Sequence, residues 1–209
     1  MRPAEFWLLD SVIETWYPLE CLASNDDMYL VFNRRGHGLT GETLVSMLDR
    51  LFQDGHLIAK HRDDDKPQGT FVPTRAEIEA ALAGALKVYY GLTLKGGARW
   101  EAVSLPDWNR YCDAFLGIDP EVGTIISRDR KLVETYLSLC HYAWNDMSVI
   151  AGSEKWDVLK PWEATYWKTL PDGHRIQFEY KSRDAAGVTE SPPSAKQFFE
   201  GIRNWYTRY

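Results

Sequence analysis

The spacing of apolar residues indicates helical and strand segments along the chain, beginning with the N-terminus. Large apolar side chains recur at helical spacing between positions 6 and 17, which predicts a helix over residues 3–23 with a proline in its first turn. Pro18 is expected to kink or end this helix, because it lacks a backbone N–H. The short apolar run at 28–32 fits a strand or a helix start, and periodicity does not distinguish the two.

The next segment predicts a helix followed by a β-hairpin. Thr40 is the expected N-cap and Gly55 the expected stop of the helix, whose apolar stripe comprises Leu44, Met47, Leu48 and Leu51. A strand, a polar turn at 63–69 and a return strand through Phe71 and Val72 follow.

Three further elements complete the first half of the chain. Thr74 is expected to cap a helix over 75–86. The stretch YYGLTLKGG, which starts at Tyr89, predicts a strand and then a helix near its Gly-Gly pair. Residues 105–117 predict a short helix with Pro and Asp in its first turn, and the turn-rich segment 117–123 is the expected domain boundary.

The second half predicts a helix, a β-hairpin and a C-terminal helix. Ser127 is the expected cap of the first helix, with Leu132, Tyr136, Leu139 and Tyr142 in line. A hairpin over 164–181 is expected to turn at Pro171–Gly173, with Ile176, Phe178 and Tyr180 alternating with polar residues. The last helix starts at Ala195 and aligns Phe198, Ile202, Trp205 and Tyr209.

The stretch LTGETLVSMLDRLFQDGHLIAKHRDDDKPQGTFVPT resembles the helix-and-wing unit of winged-helix proteins, and YYGLTLKGG resembles the strand that follows such wings. The resemblance covers about residues 1–105. The predicted fold class is therefore α+β: a winged-helix-like domain at 1–117 and an α+β region at 118–209. Whether the two halves pack as one domain stays open at this stage.

Charge changes what the resemblance implies about function. The chain carries a net charge of −6, and residues 1–116 hold 12 Lys and Arg against 17 Asp and Glu. Winged helices that read DNA need basic side chains against phosphate, whereas this half of the chain is the acidic one. The sequence therefore disfavours a nucleic-acid partner.

Two sets of charged residues are candidates for binding. The would-be recognition helix and the wing tip carry an excess of acids, and the candidate contacts for a basic protein partner are Glu42, Asp49, Asp63, Asp64 and Asp65. The local basic clusters are the candidates for the alternative, DNA binding: Arg34, Arg35, Lys60 and Arg62.

No motif indicates a catalytic residue, a cofactor or a metal. The acidic run at 63–65 lacks the distal Glu of a calcium loop, and the five histidines form neither HExxH nor a zinc pattern. Cys21, Cys112 and Cys140 are widely spaced, which predicts free thiols in a reducing compartment. The acids at the N-terminus predict no signal peptide and no membrane span, so a cytoplasmic protein is expected.

Three functions are compatible with these features. The first is a non-catalytic protein-binding module whose acidic face meets a basic partner; in character it is similar to bacterial immunity proteins, which neutralise a cognate toxin. The second is a winged-helix transcriptional regulator that binds DNA, and the third is an enzyme of unrecognised class. The partner's identity and the oligomeric state are not encoded in any motif.

Overall fold

The computed structural model describes residues 1–23, 36–62, 69–144, 147–182 and 190–208. The chain forms two compact units, and both contain helices and strands, so the fold class is α+β as predicted. Unit 1 comprises residues 1–104 and 165–168, and unit 2 comprises residues 105–164 and 169–208. The chain therefore returns to unit 1 at residues 165–168.

The described residues of unit 1 form four helices, one 3₁₀ helix and an antiparallel sheet. The helices are α1 (Pro3–Asp10), α2 (Gly41–Gln53), α3 (Arg75–Leu82) and α4 (Leu94–Ser104), and the 3₁₀ helix spans Leu19–Ala23. The strands are β1 (Tyr17–Pro18), β2 (Leu57–His61), β3 (Thr70–Phe71) and β4 (Val88–Leu92). They lie in the order β1-β4-β2-β3, so the strand of the YYGL stretch is internal to the sheet.

The predicted helix between Thr40 and Gly55 is confirmed. The Thr40 amide donates to the Thr43 hydroxyl at 3.3 Å, which satisfies a backbone N–H that would otherwise be free at the start of α2. Gly55 adopts a positive φ of 69° after the last turn, a conformation that glycine tolerates best. All four stripe residues are buried, as expected: Leu44, Met47, Leu48 and Leu51.

The predicted helix over 3–23 is wrong beyond Asp10. The carbonyl of Val12 accepts a hydrogen bond from the Tyr166 hydroxyl, and the carbonyl of Ile13 accepts one from the Trp167 indole. These donors from distant residues satisfy backbone groups that a continuing helix would have paired within itself. The chain then runs into β1, where Pro18 pairs with Tyr89 at the sheet edge.

The strand and helix expected from YYGLTLKGG are confirmed as β4 and α4, and the Gly-Gly pair has a packing role. A Cβ at Gly96 would lie 2.0 Å from the His56 carbonyl oxygen. A Cβ at Gly97 would lie 2.1 Å from the Trp167 ring. Both glycines are therefore required by close approaches from residues distant in sequence.

The other elements expected in this half are present with shorter bounds. Thr74 caps α3 as predicted, its hydroxyl accepting from the Glu77 amide at 3.3 Å, but the helix ends at Leu82 before Gly84, whose φ is 75°. The return strand β3 stops before Val72. The expected strand or helix at 28–32 and most of the polar turn, 63–68, lie outside the described residues. The winged-helix resemblance remains a prediction.

The part of unit 2 that the structure describes forms one large sheet, a two-stranded sheet and two helices. The strands are β5 (Cys112–Leu116), β6 (Val122–Ser127), β7 (Met147–Val149), β8 (Lys155–Leu159), β9 (Trp162–Glu163), β10 (Thr169–Leu170) and β11 (Gly173–Ser182). The large sheet has the order β5-β6-β11-β7, and β8 also pairs with β11. The helices are α5 (Arg130–Ala143) and α6 (Pro193–Arg203).

The short helix expected over 105–117 is wrong. A turn at the start of this segment leads into β5, whose residues Cys112 and Leu116 pair with Ser127 and Gly123 of β6. Cross-strand pairing overrides the helix-start signals of Pro and Asp here. The segment 117–123, expected as a domain boundary, contains the turn of this hairpin, and the units divide at Ser104 and Leu105 instead.

The hairpin predicted over 164–181 is corrected in its pairing. Its alternation is confirmed, since Ile176, Phe178 and Tyr180 are buried. However, β10 pairs with β9, and β11 pairs with β6 and β8, so Pro171–Gly173 does not join two partner strands. The ring of Trp162 lies 2.7 Å from where a Gly173 Cβ would stand, and this close contact places β9 against the start of β11.

The two helices of unit 2 differ from prediction in their caps and faces. Asp129, rather than Ser127, caps α5 by accepting from the Lys131 amide at 2.9 Å. The face of α5 that enters the core carries Val133 and Cys140, so the predicted stripe is rotated about the helix axis. Helix α6 ends at Arg203, and the buried Trp205 lies beyond it, while Tyr209 is outside the described residues.

We expect Leu48→Ala to lower the free energy of unfolding by about 2–5 kcal/mol, because it leaves a cavity under α2. The exposed Gln53→Ala on the same helix is the control and should change stability by less than about 0.5 kcal/mol. Urea denaturation of both variants measures the difference. Equal effects at the two positions would contradict the assigned helix face.

A second pair of variants tests the close approach at α4. Gly97→Ala should destabilise by about 1–3 kcal/mol, because the methyl group overlaps the Trp167 ring. Gly201→Ala, in helix α6, should be neutral or stabilising by up to about 1 kcal/mol. The atom nearest to a Cβ at position 201 would be Arg110 Nη2, at 3.5 Å, so the added methyl group has room. Native-state hydrogen exchange measures the change in stability separately for unit 1, which contains Gly97, and for unit 2, which contains Gly201. A tolerated Gly97→Ala would contradict the packing.

Candidate functional site

The outer faces of α2 and α3 bring two of the described acids together around one arginine. Arg75 forms an ion pair with Glu42 and a second with Glu79, whose Oε1 lies 3.4 Å from Arg75 Nε. The Ser46 hydroxyl donates to Glu42 Oε1 at 3.2 Å. The side chains of Glu42 and Glu79 are 76% and 53% exposed, so this acidic face, defined by Glu42, Ser46, Arg75 and Glu79, is open to solvent.

Of the remaining candidate partner contacts, the structure describes Asp49 alone. Asp49 lies on α2 and is half-buried. It follows Glu42 by seven residues, about two helical turns, and is therefore on the same side of the helix. Asp63, Asp64 and Asp65 lie outside the described residues. The structure thus brings Glu42 next to Glu79, a residue that the charge pattern of α2 alone did not indicate.

The described DNA-binding candidates make contacts within unit 1. The Lys60 ammonium lies 4.4 Å from the centre of the Trp16 ring and 5.6 Å from that of Tyr89. Such cation–π contacts fix a charged side chain against an aromatic surface. Lys60 is therefore held by two rings of its own chain.

Arg62 is engaged in a similar way. It forms an ion pair with Glu20, and its guanidinium lies 5.1 Å from the centre of the Tyr89 ring. Lys87 approaches the same carboxylate at 3.6 Å. The negative charge of Glu20 thus lies close to two cations beside the sheet, Arg62 and Lys87. Arg34 and Arg35, the other two DNA-binding candidates, lie outside the described residues.

An ion cluster around the buried Glu5 of α1 was not predicted from the sequence. Glu5, whose side chain is 4% exposed, forms ion pairs with Arg50 of α2 at 3.1 Å and with Arg99 of α4. Arg99 Nη1 also lies 3.1 Å from His56 Nε2. The only local signal was an acid in the first turn of an apolar helix, and nothing near it in sequence indicates two arginine partners 45 and 94 residues away.

His56 is held in its neutral form by this cluster. A guanidinium only donates, so His56 Nε2 accepts from Arg99 and the ring proton resides on Nδ1. Burial lowers the pKa of His56, and the charges of Arg99 and Lys95 lower it further, against smaller opposing effects of Asp54 and Glu5. The imidazole is therefore uncharged at neutral pH.

None of the described cysteines forms a disulfide, and the two in unit 2 are suited to core packing. Cys140 lies in the hydrophobic cluster of unit 2, and burial raises its pKa to about 11. Burial, with Asp113 beside it, also raises the pKa of Cys112. The neighbouring His141 contacts Tyr142 in a tilted arrangement, with ring centres 3.8 Å apart. Both thiols therefore lack the thiolate character of a nucleophile at neutral pH.

Within the described ranges, no three His, Cys, Asp or Glu side chains converge in a way that would hold a metal ion. The helices in those ranges also include none with the length and apolar content needed to cross a bilayer. Comparison with protein-family models, with curated proteins and with solved structures finds no match for the chain. The contacts and charges of the chain itself therefore carry the functional inference.

The environment of His56 predicts a pH dependence of stability. Because the folded-state pKa lies below the unfolded value of about 6.5, the unfolded chain binds the proton more readily, and stability falls as the pH drops below that value. His37, whose pKa burial also lowers, contributes in the same direction. Urea denaturation between pH 7.5 and pH 5 should show a smaller fall for His56→Gln than for the wild type. An unchanged slope would contradict the assignment.

Proposed function

We propose that the protein is a non-catalytic protein-binding module whose acidic face contacts a basic surface of a partner protein. The observation that carries the proposal is the sharing of one arginine by two exposed carboxylates, Glu42 and Glu79. One guanidinium leaves the pair with a net negative charge. Asp49, on the same helix, adds to that charge.

The geometry of the acidic face suits association with a cation-rich surface. Leu44, Leu48 and Leu51 turn the apolar side of α2 into the core, so its polar side is presented outward. Arg75 and Ser46 restrain the Glu42 carboxylate, which reduces the side-chain entropy lost when a partner binds. An exposed negative surface of this kind accelerates encounter with a positive one.

The contacts of Lys60 and Arg62 disfavour the alternative of a DNA-binding regulator. Both cations are held by Trp16, Tyr89 or Glu20, and moving either onto a phosphate would break those contacts. A DNA-reading surface would need basic side chains that project freely toward the backbone. The buried Glu5 does not support the third alternative, an enzyme, because its carboxylate forms ion pairs with Arg50 and Arg99.

The specific form of the proposal is an immunity-type protein that neutralises a basic toxin in the cytoplasm. The net charge of −6 supports it, because a negative protein is attracted to a positive toxin at long range. The residues proposed to contact the partner are Glu42, Asp49, Asp63, Asp64 and Asp65. The proposal requires no cofactor and no metal.

Charge reversal on the acidic face tests this function. We expect Glu42→Lys combined with Asp49→Lys to slow association with a small basic protein, with cytochrome c as the probe, by about tenfold at low ionic strength. The matched control is Glu134→Lys combined with Glu200→Lys in unit 2, which changes net charge equally. Stopped-flow fluorescence gives both rates, and added salt should remove the difference by screening.

Two results would contradict the proposal. Equal slowing by the two double variants would show that net charge, rather than the acidic face, controls association. Nanomolar, sequence-dependent binding of duplex DNA at 0.15 M salt in a gel-shift experiment would favour the regulator instead, with Arg34, Arg35, Lys60 and Arg62 as the residues to change first.

A further inference from the structure

Unit 2 contains an apolar cavity, open to solvent on one side, at the junction of α5 and α6. Its volume is about 200 Å³, and it is lined by Arg110, Leu132, Gln197, Phe198, Gly201 and Ile202. Leu132 comes from the first turn of α5, and the last four residues come from one face of α6. Apolar side chains form most of the wall, with one guanidinium and one amide as the polar groups.

The turn that carries Arg110 is fixed to the end of α6. The Asp107 amide donates to the Trp205 carbonyl at 2.8 Å, and the Arg110 amide donates to the Asp107 carbonyl at 2.9 Å. The Trp205 ring packs against Trp108 and Tyr111, with ring centres 4.8 and 4.7 Å apart. This aromatic cluster makes the cavity wall a preformed part of the fold rather than a loose surface.

Arg110 brings a positive charge to the cavity. Its Nη2 donates to the Gly201 carbonyl at 2.6 Å, near the C-terminus of α6, where a cation is favoured by the helix dipole. Across the described ranges, no carboxylate lies within 4.0 Å of this guanidinium. A guanidinium has five N–H donors, so several remain for an anion after the bond to Gly201 is made.

We propose that this cavity binds a small carboxylic acid with an apolar body of about one ring. The apolar body packs against Leu132, Phe198 and Ile202, and the carboxylate accepts hydrogen bonds from Arg110. Arginine suits this role because its planar fork matches the two oxygens of a carboxylate. The site is separate from the acidic face and binds a ligand of different chemistry.

The size of the cavity sets the size of the ligand. An apolar cavity of about 150 Å³ is known to accommodate benzene, so a volume of about 200 Å³ leaves room for one ring and a carboxylate. Gln197, also on the wall, offers an amide donor for the second carboxylate oxygen.

A titration with sodium benzoate, followed by methyl NMR, tests the site in the full chain. We expect a dissociation constant on the order of 1 mM or below, with the largest shifts at the methyl groups of Leu132 and Ile202. Benzyl alcohol has the ring without the charge, and acetate has the charge without the ring. Each should bind at least about tenfold more weakly than benzoate.

Variants separate the contributions of charge and cavity. Arg110→Gln should weaken benzoate binding about tenfold or more, whereas Arg208→Gln, the same substitution elsewhere in unit 2, should leave it unchanged. Ile202→Trp should abolish binding by filling the cavity, with circular dichroism to check that the variant is folded. Equal affinity for benzoate and benzyl alcohol, unchanged affinity in Arg110→Gln, or shifts confined to other methyl groups would each overturn the proposal.

Discussion

The four residues Thr165–Lys168 impose the constraint on which the rest of unit 1 depends. The Tyr166 hydroxyl donates to the Val12 carbonyl at 2.5 Å and accepts from the Leu92 amide at 2.6 Å, so it joins the end of α1 to β4. The Trp167 indole donates to the Ile13 carbonyl at 2.8 Å. These bonds satisfy buried backbone groups that would otherwise destabilise the fold. They also explain why α1 ends where it does.

The same segment contacts the ring that holds one of the cations of unit 1. Tyr166 packs against Trp16 with ring centres 4.8 Å apart, and Trp16 in turn holds the Lys60 ammonium. Glu20 holds Arg62 and Lys87. Among the contacts described for them, the exposed carboxylates of α2 and α3 are opposed by Arg75 alone. The packing of Tyr166 against Trp16 thus extends to one surface cation, Lys60.

The sequence predicted those elements whose stability is local. The stripe of α2 and the alternation of β11 follow from residues that are neighbours along the helix or strand, and both predictions were confirmed. Predictions failed where distant residues decide the structure. The end of α1 depends on Tyr166, more than 150 residues away, and β5 exists because β6 pairs with it. Gly97 signals a close approach, but nothing nearby identifies Trp167 as the ring that makes it.

The candidate site shows the same division. The acids of α2 were evident from the sequence. That Glu42 and Glu79 share Arg75, and that Lys60 and Arg62 contact other side chains of the chain, could be seen only in the structure.

The measurement that tests the functional account most directly is photo-crosslinking in the native host, with a photoreactive amino acid at Ser46 on the acidic face or at the exposed Ser138 on α5. The account predicts a covalent adduct with a basic protein from position 46 and none from position 138. Crosslinking to nucleic acid from position 46, or the same adducts from both positions, would contradict it.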